Sequence, residues 1–441
     1  MTADQLENGL TLSVLGLLAI IACIVIVPHA RLALALFIGG IAFAPVWLGA
    51  NLSGLVTIHT ALAALALVSL VVDAYRTRSR AAPDPRPLRQ AGLHSFDIVF
   101  MLLAALTVAS NLVGGVDRGQ VYLVATWGLM YALGRAAMLR VGLVWIAGAL
   151  TAVMTVVAVF AIIEWVTSWN PWLEFTGNSS SAFRVWGPQQ FRGSQVRAEA
   201  SFGHSIALGC SLAITLVLTI IARMRNAAKL IVIGLLTVAL ILTFSRTAYI
   251  TAGLGVVLLL LFTGRNLSSR MRAGLSAILV AGATLGLIIT TSAFAENEDA
   301  SSDAAFYRLW LWDLVPGLRA LGASSLLYRT TDGTSTVGSF ASIDSAVLLY
   351  ALTNGWVPAA VLCIALLIAT VRLVLRGGDP ALVALVAQIP AFFTVALITQ
   401  YAHLVWFVAG MAVTGITQAA PNDLGTSLRP SASRRHPSLV A

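Results

Sequence analysis

The chain has 441 residues, of which 59% are apolar and only 10% charged, and its mean hydropathy is +0.90. A soluble domain carries about 25% charged residues, so a water-soluble globular fold is excluded. A nucleic-acid partner is excluded too, because the net charge of +9 is split into short basic clusters between apolar runs, with no soluble basic face.

Met1 to Gly9 holds Asp4 and Glu7 and no basic residue, which does not fit the positive start of a cleavable signal peptide. Apolar runs of roughly 20 residues then recur along the chain. Thirteen candidate spans lie near 10–27, 32–50, 54–73, 97–115, 120–138, 142–166, 203–222, 230–244, 247–263, 273–292, 345–371, 380–399 and 402–418. The expected fold class is an all-α polytopic membrane protein. It has about 12–13 transmembrane helices and a large external loop carrying short amphipathic helices. Residues 1–418 read as one integral membrane domain, with external loops at about 167–202 and 293–344 and a cytoplasmic loop at about 75–96. Residues 419–441, rich in Ser, Pro and Arg, read as a disordered cytoplasmic tail.

Alternate connections carry 19 of the 27 basic residues and five of the 18 acids; the opposite set carries eight and 13. This asymmetry places the N-terminus outside and the C-terminus inside. The cytoplasmic stretch from Arg76 to Ser95 contains Pro83, Pro85 and Pro87, which block helix and leave a solvated anchor near anionic headgroups. Cys23, Cys210 and Cys363 all fall within apolar spans and read as small packing residues, with no disulfide framework.

Arg246 lies between two apolar runs, Leu230 to Phe244 and Ala248 to Phe262, that leave almost no room for a loop. A permanent charge at such a membrane edge is expensive and points to function. Six more outward arginines, Arg184, Arg192, Arg197, Arg308, Arg319 and Arg329, lie in the two external loops. The planar guanidinium fork suits phosphate, and several forks at one face would make a pyrophosphate site without a metal. In the second loop Phe306, Leu309, Trp310 and Leu314 share one helical face, and Pro316 ends or kinks the helix. That helix either packs over the bundle or caps a cavity.

Four segments, in order over residues 190 to 360, carry a resemblance. Arg197-Ala-Glu-Ala-Ser-Phe-Gly-His-Ser-Ile-Ala-Leu-Gly209 is an arginine before a small-residue helix start. Leu242-Thr-Phe-Ser-Arg-Thr-Ala248 follows. Tyr307-Arg-Leu-Trp310 precedes the Gly322 region, and Ser342-Ile-Asp-Ser-Ala-Val-Leu-Leu-Tyr-Ala-Leu-Thr-Asn-Gly355 closes the set. Together they resemble the O-antigen ligase and polymerase family; the first six spans match it in hydropathy alone.

The resemblance implies a glycosyltransferase that uses no metal and no cofactor. It would polymerise or transfer a polyprenyl-pyrophosphate-linked glycan at the outer, periplasmic face of the cytoplasmic membrane. It implies membrane lipids, and chain-length regulator or flippase proteins, as partners. It assigns the pyrophosphate to Arg197, Arg246 and Arg308. The family's ligases hold a histidine, the proposed base, where this chain has Asp344, and the aspartate is closer to the polymerase branch. An unperturbed carboxylate is a weak base unless burial raises it.

Each candidate has a plainer counterpart. Arg197 could instead form a loop salt bridge with Glu199, and Arg246 could snorkel to headgroups. Asp344 could be a helix N-cap, and His204, the other catalytic candidate, a capping or packing residue. Arg184, Arg192 and Arg329 are candidate glycan or phosphate contacts, and His403 is an outside candidate for the missing base. Three alternatives stand beside O-antigen polymerisation: a peptidoglycan glycosyltransferase of the shape and division class, which has fewer spans as a rule and a different outer-loop pattern; ligase-type transfer of a finished glycan to a lipid or protein acceptor; and a lipid-linked glycan transporter or flippase. Transporters often show internal repeats, broken helices and midplane acids; the sequence shows no repeat, and Asp73, Asp97 and Glu164 all lie near span ends.

Overall fold

The computed structural model describes residues 25–51, 55–80, 93–114, 118–175, 180–264, 267–295, 307, 310–329, 335–337 and 343–419. These form an almost wholly helical body with three short two-stranded hairpins. Among the described residues, five helical stretches are long and apolar enough to cross a membrane: Ile58–Thr77, Ser95–Gly114, Leu143–Thr167, Ser269–Ile288 and Trp356–Arg376. The chain is therefore an all-α membrane protein. Helix is the natural choice for such a sequence, because in lipid every backbone N–H and C=O must find its partner within the segment.

In chain order the helices are α1 (Ala30–Phe43), α2 (Ile58–Arg80), α3 (Ser95–Gly114), α4 (Arg118–Arg140) and α5 (Leu143–Thr167). After a short helix α6 (Ser180–Trp186) come α7 (Ser205–Thr219), α8 (Asn226–Ile241), α9 (Arg246–Phe262) and α10 (Ser269–Ala295). The last group is α11 (Ala346–Asn354), α12 (Trp356–Arg376), α13 (Pro380–Ala387), α14 (Ile389–Thr394) and α15 (Thr399–Ala419).

Helix α7 is buried along nearly its whole length and is wrapped by α5, α8, α9 and α13. Its sequence is apolar or small on every side, the signature of a helix with no exposed face. Outer helices instead present Val71, Ile98, Leu112 and Leu367 to their surroundings, as a lipid-facing surface requires. Helices α4 and α15 cross at two glycines. A Cβ on Gly134 would stand 2.0 Å from the Phe407 carbonyl oxygen, and one on Gly410 would stand 2.1 Å from that of Tyr131. Small residues allow this backbone approach, a common solution between membrane helices.

Helix α15 also defines two ends of the bundle. Near its start, Gln400 Nε2 donates to the Ala44 and Ser201 carbonyls at 3.0 and 2.7 Å. Near its finish, Thr414 Oγ1 accepts from Arg135 at 3.4 Å. Fourteen residues of helix separate the two, about 21 Å at 1.5 Å per residue.

Two expected spans are broken. The run 345–371 becomes α11 and α12, because Gly355 takes φ +99°. A Cβ there would meet the Ala320 oxygen at 2.4 Å. The loop around Gly322 threads this break: Trp356 N donates to Arg319 O, Gly322 N to Asn354 O and Ser324 N to Leu352 O. The run 380–399 divides at Gln388, with Pro390 opening α14 and Val395 extended after it. Hydropathy stays high across both breaks, so the apolar pattern does not reveal them.

Two smaller corrections concern loops. Helix α2 continues through Arg80 rather than ending before Arg76, since arginine favours helix and the first proline is Pro83. Past Trp310, which is helical and exposed, the outer-loop helix continues as a 3₁₀ helix, Leu311–Gly317, which buries Leu311 and Leu314. Three residues per turn set that different stripe. Phe306, Arg308 and Leu309, residues 10–24 of the candidate span 10–27 and residues 420–441 of the tail lie outside the described residues.

Candidate functional site

The segment carrying Arg197 leaves the hairpin Phe191–Arg192 with Gln195–Val196 and enters a single 3₁₀ turn, Ala200–Phe202. Its backbone is tied to the end of α8, with Ala198 N donating to Leu242 O at 3.0 Å. The side chain reinforces that tie: Arg197 Nε donates to Thr243 O at 3.0 Å. Thr243 begins the turn that delivers Arg246. Phe244 follows in the left-handed region at φ +50°, and Ser245 caps α9 by accepting from Ala248 N at 3.2 Å. Arg246 is the exposed first residue of α9. One arginine thus grips the turn that presents the other.

The two terminal nitrogens of Arg197 have no partner among the described residues. The salt bridge with Glu199 does not form; the ion pairs among the described residues are Arg135–Asp97 and Arg140–Asp73. Burial, helped by the nearby Arg192, pushes the Arg197 guanidinium down to about 10, and Glu199 and Tyr249 oppose the shift. It is still fully charged at neutral pH.

Beneath this segment lies a polar cradle. Glu164, in the last turn of α5 and 1% exposed, accepts from Asn170 Nδ2 at 2.7 Å, Gln189 Nε2 at 3.4 Å, Glu199 N at 3.0 Å and Ala200 N at 2.7 Å. Glu199 is fully buried. Its Oε1 accepts from Gln190 N at 3.3 Å, and its Oε2 has no partner. Burial and the adjacent Glu164 raise the Glu199 carboxyl to about 8. Four non-glycine residues in this layer hold left-handed backbone: Ser168 at +56°, Ala200 at +45°, Phe244 at +50° and Thr399 at +47°. Each costs of order 1–3 kcal/mol, and strain of this kind gathers where geometry serves a function.

An apolar cleft of about 460 Å³ opens beside Arg246, between α8, α9 and α10. Ile241, Ile278 and Leu279 line it, and Gly253, Gly282 and Gly286 supply its width. Arg246 and Tyr249 are among its few polar side chains, and the Tyr249 hydroxyl is anchored on the Ile241 carbonyl at 2.6 Å.

The structure brings together Arg192, Arg197, Arg246 and His204. His204 caps α7, its Nδ1 accepting from Ile206 N at 3.2 Å, and it packs edge-on against Trp186. Burial and Arg197 lower it to about 4, so it is neutral at pH 7 with its acceptor nitrogen occupied. The capping role accounts for it, and it is not arranged as a base. Asp344 is exposed on the same rim. It is not the N-cap of α11; Ser345 is, accepting from Leu348 N at 3.2 Å. Ala346 N donates to Val395 O, and Thr394 meets Thr247 at 3.1 Å, which links this helix start to the first turn of α9. Arg184 is exposed on α6, away from these bonds. Arg329 pairs through its backbone with Ser335, while Arg308 lies outside the described residues.

Compared with models of known families and with curated proteins, the chain matches none.

In the sequence Glu164 is a residue near a span end and Glu199 a candidate partner for Arg197; neither position alone announces the cradle. Glu164 is the only acid in a 25-residue apolar helix, and that isolation was the available signal. His403 lies against His59, ring centroids 5.3 Å apart, and is buried below the rim rather than open on it.

Proposed function

We propose that this chain is a membrane glycosyltransferase that uses a polyprenyl-pyrophosphate-linked glycan as donor at the outer face of the cytoplasmic membrane, in the manner of O-antigen polymerases. One observation carries the reading: Arg197, with its terminal nitrogens open, is bonded to the turn that sets Arg246 at the mouth of an apolar cleft. An amphiphile with an anionic head and a hydrocarbon tail matches that pairing. Fixed guanidiniums would stabilise the charge that develops on the departing pyrophosphate. The acceptor hydroxyl oxygen forms the new bond to the anomeric carbon as the bond to the pyrophosphate oxygen breaks. The hydroxyl proton passes to Asp344, the exposed carboxylate on the same rim.

A second reading is a transporter of the same amphiphile, favoured by the helix breaks at Gly355 and Gln388. One assay separates these. Purified protein is supplied with polyprenyl-pyrophosphate oligosaccharide and EDTA. A ladder of products supports polymerisation, a single addition supports ligase-type transfer, and tail-anchored donor recovered unchanged supports transport. Full turnover by Arg246→Ala would remove the pyrophosphate clamp.

A further inference from the structure

The buried carboxyls beneath Arg197 are not explained by the transfer chemistry. Two glutamates approach closely inside the protein, and their surroundings are unequal. Glu164 receives four donors, two of them backbone N–H groups. Glu199 receives one long bond, and its second oxygen is buried and unpartnered. Two negative charges this close in a dry site are unfavourable, and the donor set stabilises a charge on Glu164 far better than on Glu199. Arg197 is near enough to influence Glu199 and yet makes no ion pair with it. A charged Glu199 would be expected to draw the guanidinium onto itself.

We propose that Glu164 and Glu199 share one proton, held on Glu199, and that the neutral Glu199 is the positioning residue that leaves the Arg197 fork open to an anion. The proposal rests on the reading of Arg197 as an anion ligand. Loss of the proton would place a second charge beside Arg197, the fork would close on it, and the anion would lose its site. Among the described residues the charged or titratable groups around the 3₁₀ turn are few: Glu164 from α5, Arg192 and Arg197 from the hairpin segment, His204 at the head of α7, Arg246 and Tyr249 of α9, His59 of α2, and Tyr401 and His403 of α15. His204 is held neutral, so among the groups lying outside the helices Glu199 is the one whose charge changes just above neutrality.

The test is binding of farnesyl pyrophosphate to the full chain in nanodiscs, followed by calorimetry between about pH 6 and 9. Glu199→Gln mimics the protonated acid and reports the titration of the ligand itself. Wild type should match it at the acid end and weaken relative to it as pH rises through about 8. The gap should approach tenfold per pH unit, as for a single proton. Glu164→Gln removes the neighbouring charge, so the midpoint should move toward acid; damage to packing alone would lower affinity without moving it. Coincident profiles for wild type and Glu199→Gln would overturn the shared proton while leaving the anion site standing. If wild type binds at no pH, the anion site falls, and this proposal with it.

Discussion

At the Thr414 end of α15, two arginines are answered by carboxylates. Arg135 Nη2 meets Asp97 at 2.7 Å, Tyr131 donates to the other Asp97 oxygen at 2.6 Å, and the backbone N of His94 completes the carboxylate's shell. Arg140 likewise meets Asp73 at 2.9 Å. At the Gln400 end, Arg197 has two buried carboxyls nearby and pairs with neither. Carboxylates close Arg135 and Arg140 at one end, while at the other the carboxyls of Glu164 and Glu199 take backbone amides instead of the arginine. The same residue type is a bolt in one layer and an open hand in the next. Membrane burial makes the difference informative, since a half-buried charge without a partner is otherwise selected against.

The largest effect should break this contrast directly. Arg197→Ala should lower transfer activity by about 10²–10³, the scale of removing one fixed donor from a developing oxyanion, with the fold intact by thermal unfolding. A variant that retains activity would make Arg197 a bolt as well. The converse change, Arg135→Ala, should leave anion binding unchanged and lower stability by about 3–5 kcal/mol, because Asp97 is left buried and unpaired. Pairing it with Asp97→Asn should recover much of the loss, measured by denaturation in detergent. Between the two ends, Gly410→Ala would force α4 and α15 apart and should cost about 1–3 kcal/mol, with both ends affected together.

The smallest effect belongs to Asp379, the cap of α13, whose buried carboxyl rises to about 6. The folded state then holds a proton that the unfolded chain has lost. Stability should therefore fall as pH rises from the ordinary carboxylate range through about 6, and Asp379→Asn should flatten that slope. Unfolding midpoints across this window would show it.

Much of the fold was readable because long apolar runs leave a helix little choice. The predicted spans 120–138 and 142–166 differ from α4 and α5 by two residues or fewer at each end. The breaks escaped notice because hydropathy has no term for backbone direction, although Gly355 within a span was a visible irregularity. Arg197 and Arg246 stood out in the sequence because a charge at a membrane edge carries its own cost. Their joining through the Thr243 carbonyl was hidden, since it pairs residues 46 apart through a backbone atom that no side chain announces. Glu164 and Glu199, 35 residues apart, were hidden for the same reason.

The enclosure of α7 bears on how the chain is built. A segment with no side toward lipid gains little by partitioning into the bilayer on its own. Its Ser211, Thr215 and Thr219 are sheltered only when the surrounding helices have gathered. The completed bundle supplies the shelter that this helix cannot find in lipid. His204 heads α7, so the arginine layer beside it is seated on a helix that the whole bundle encloses.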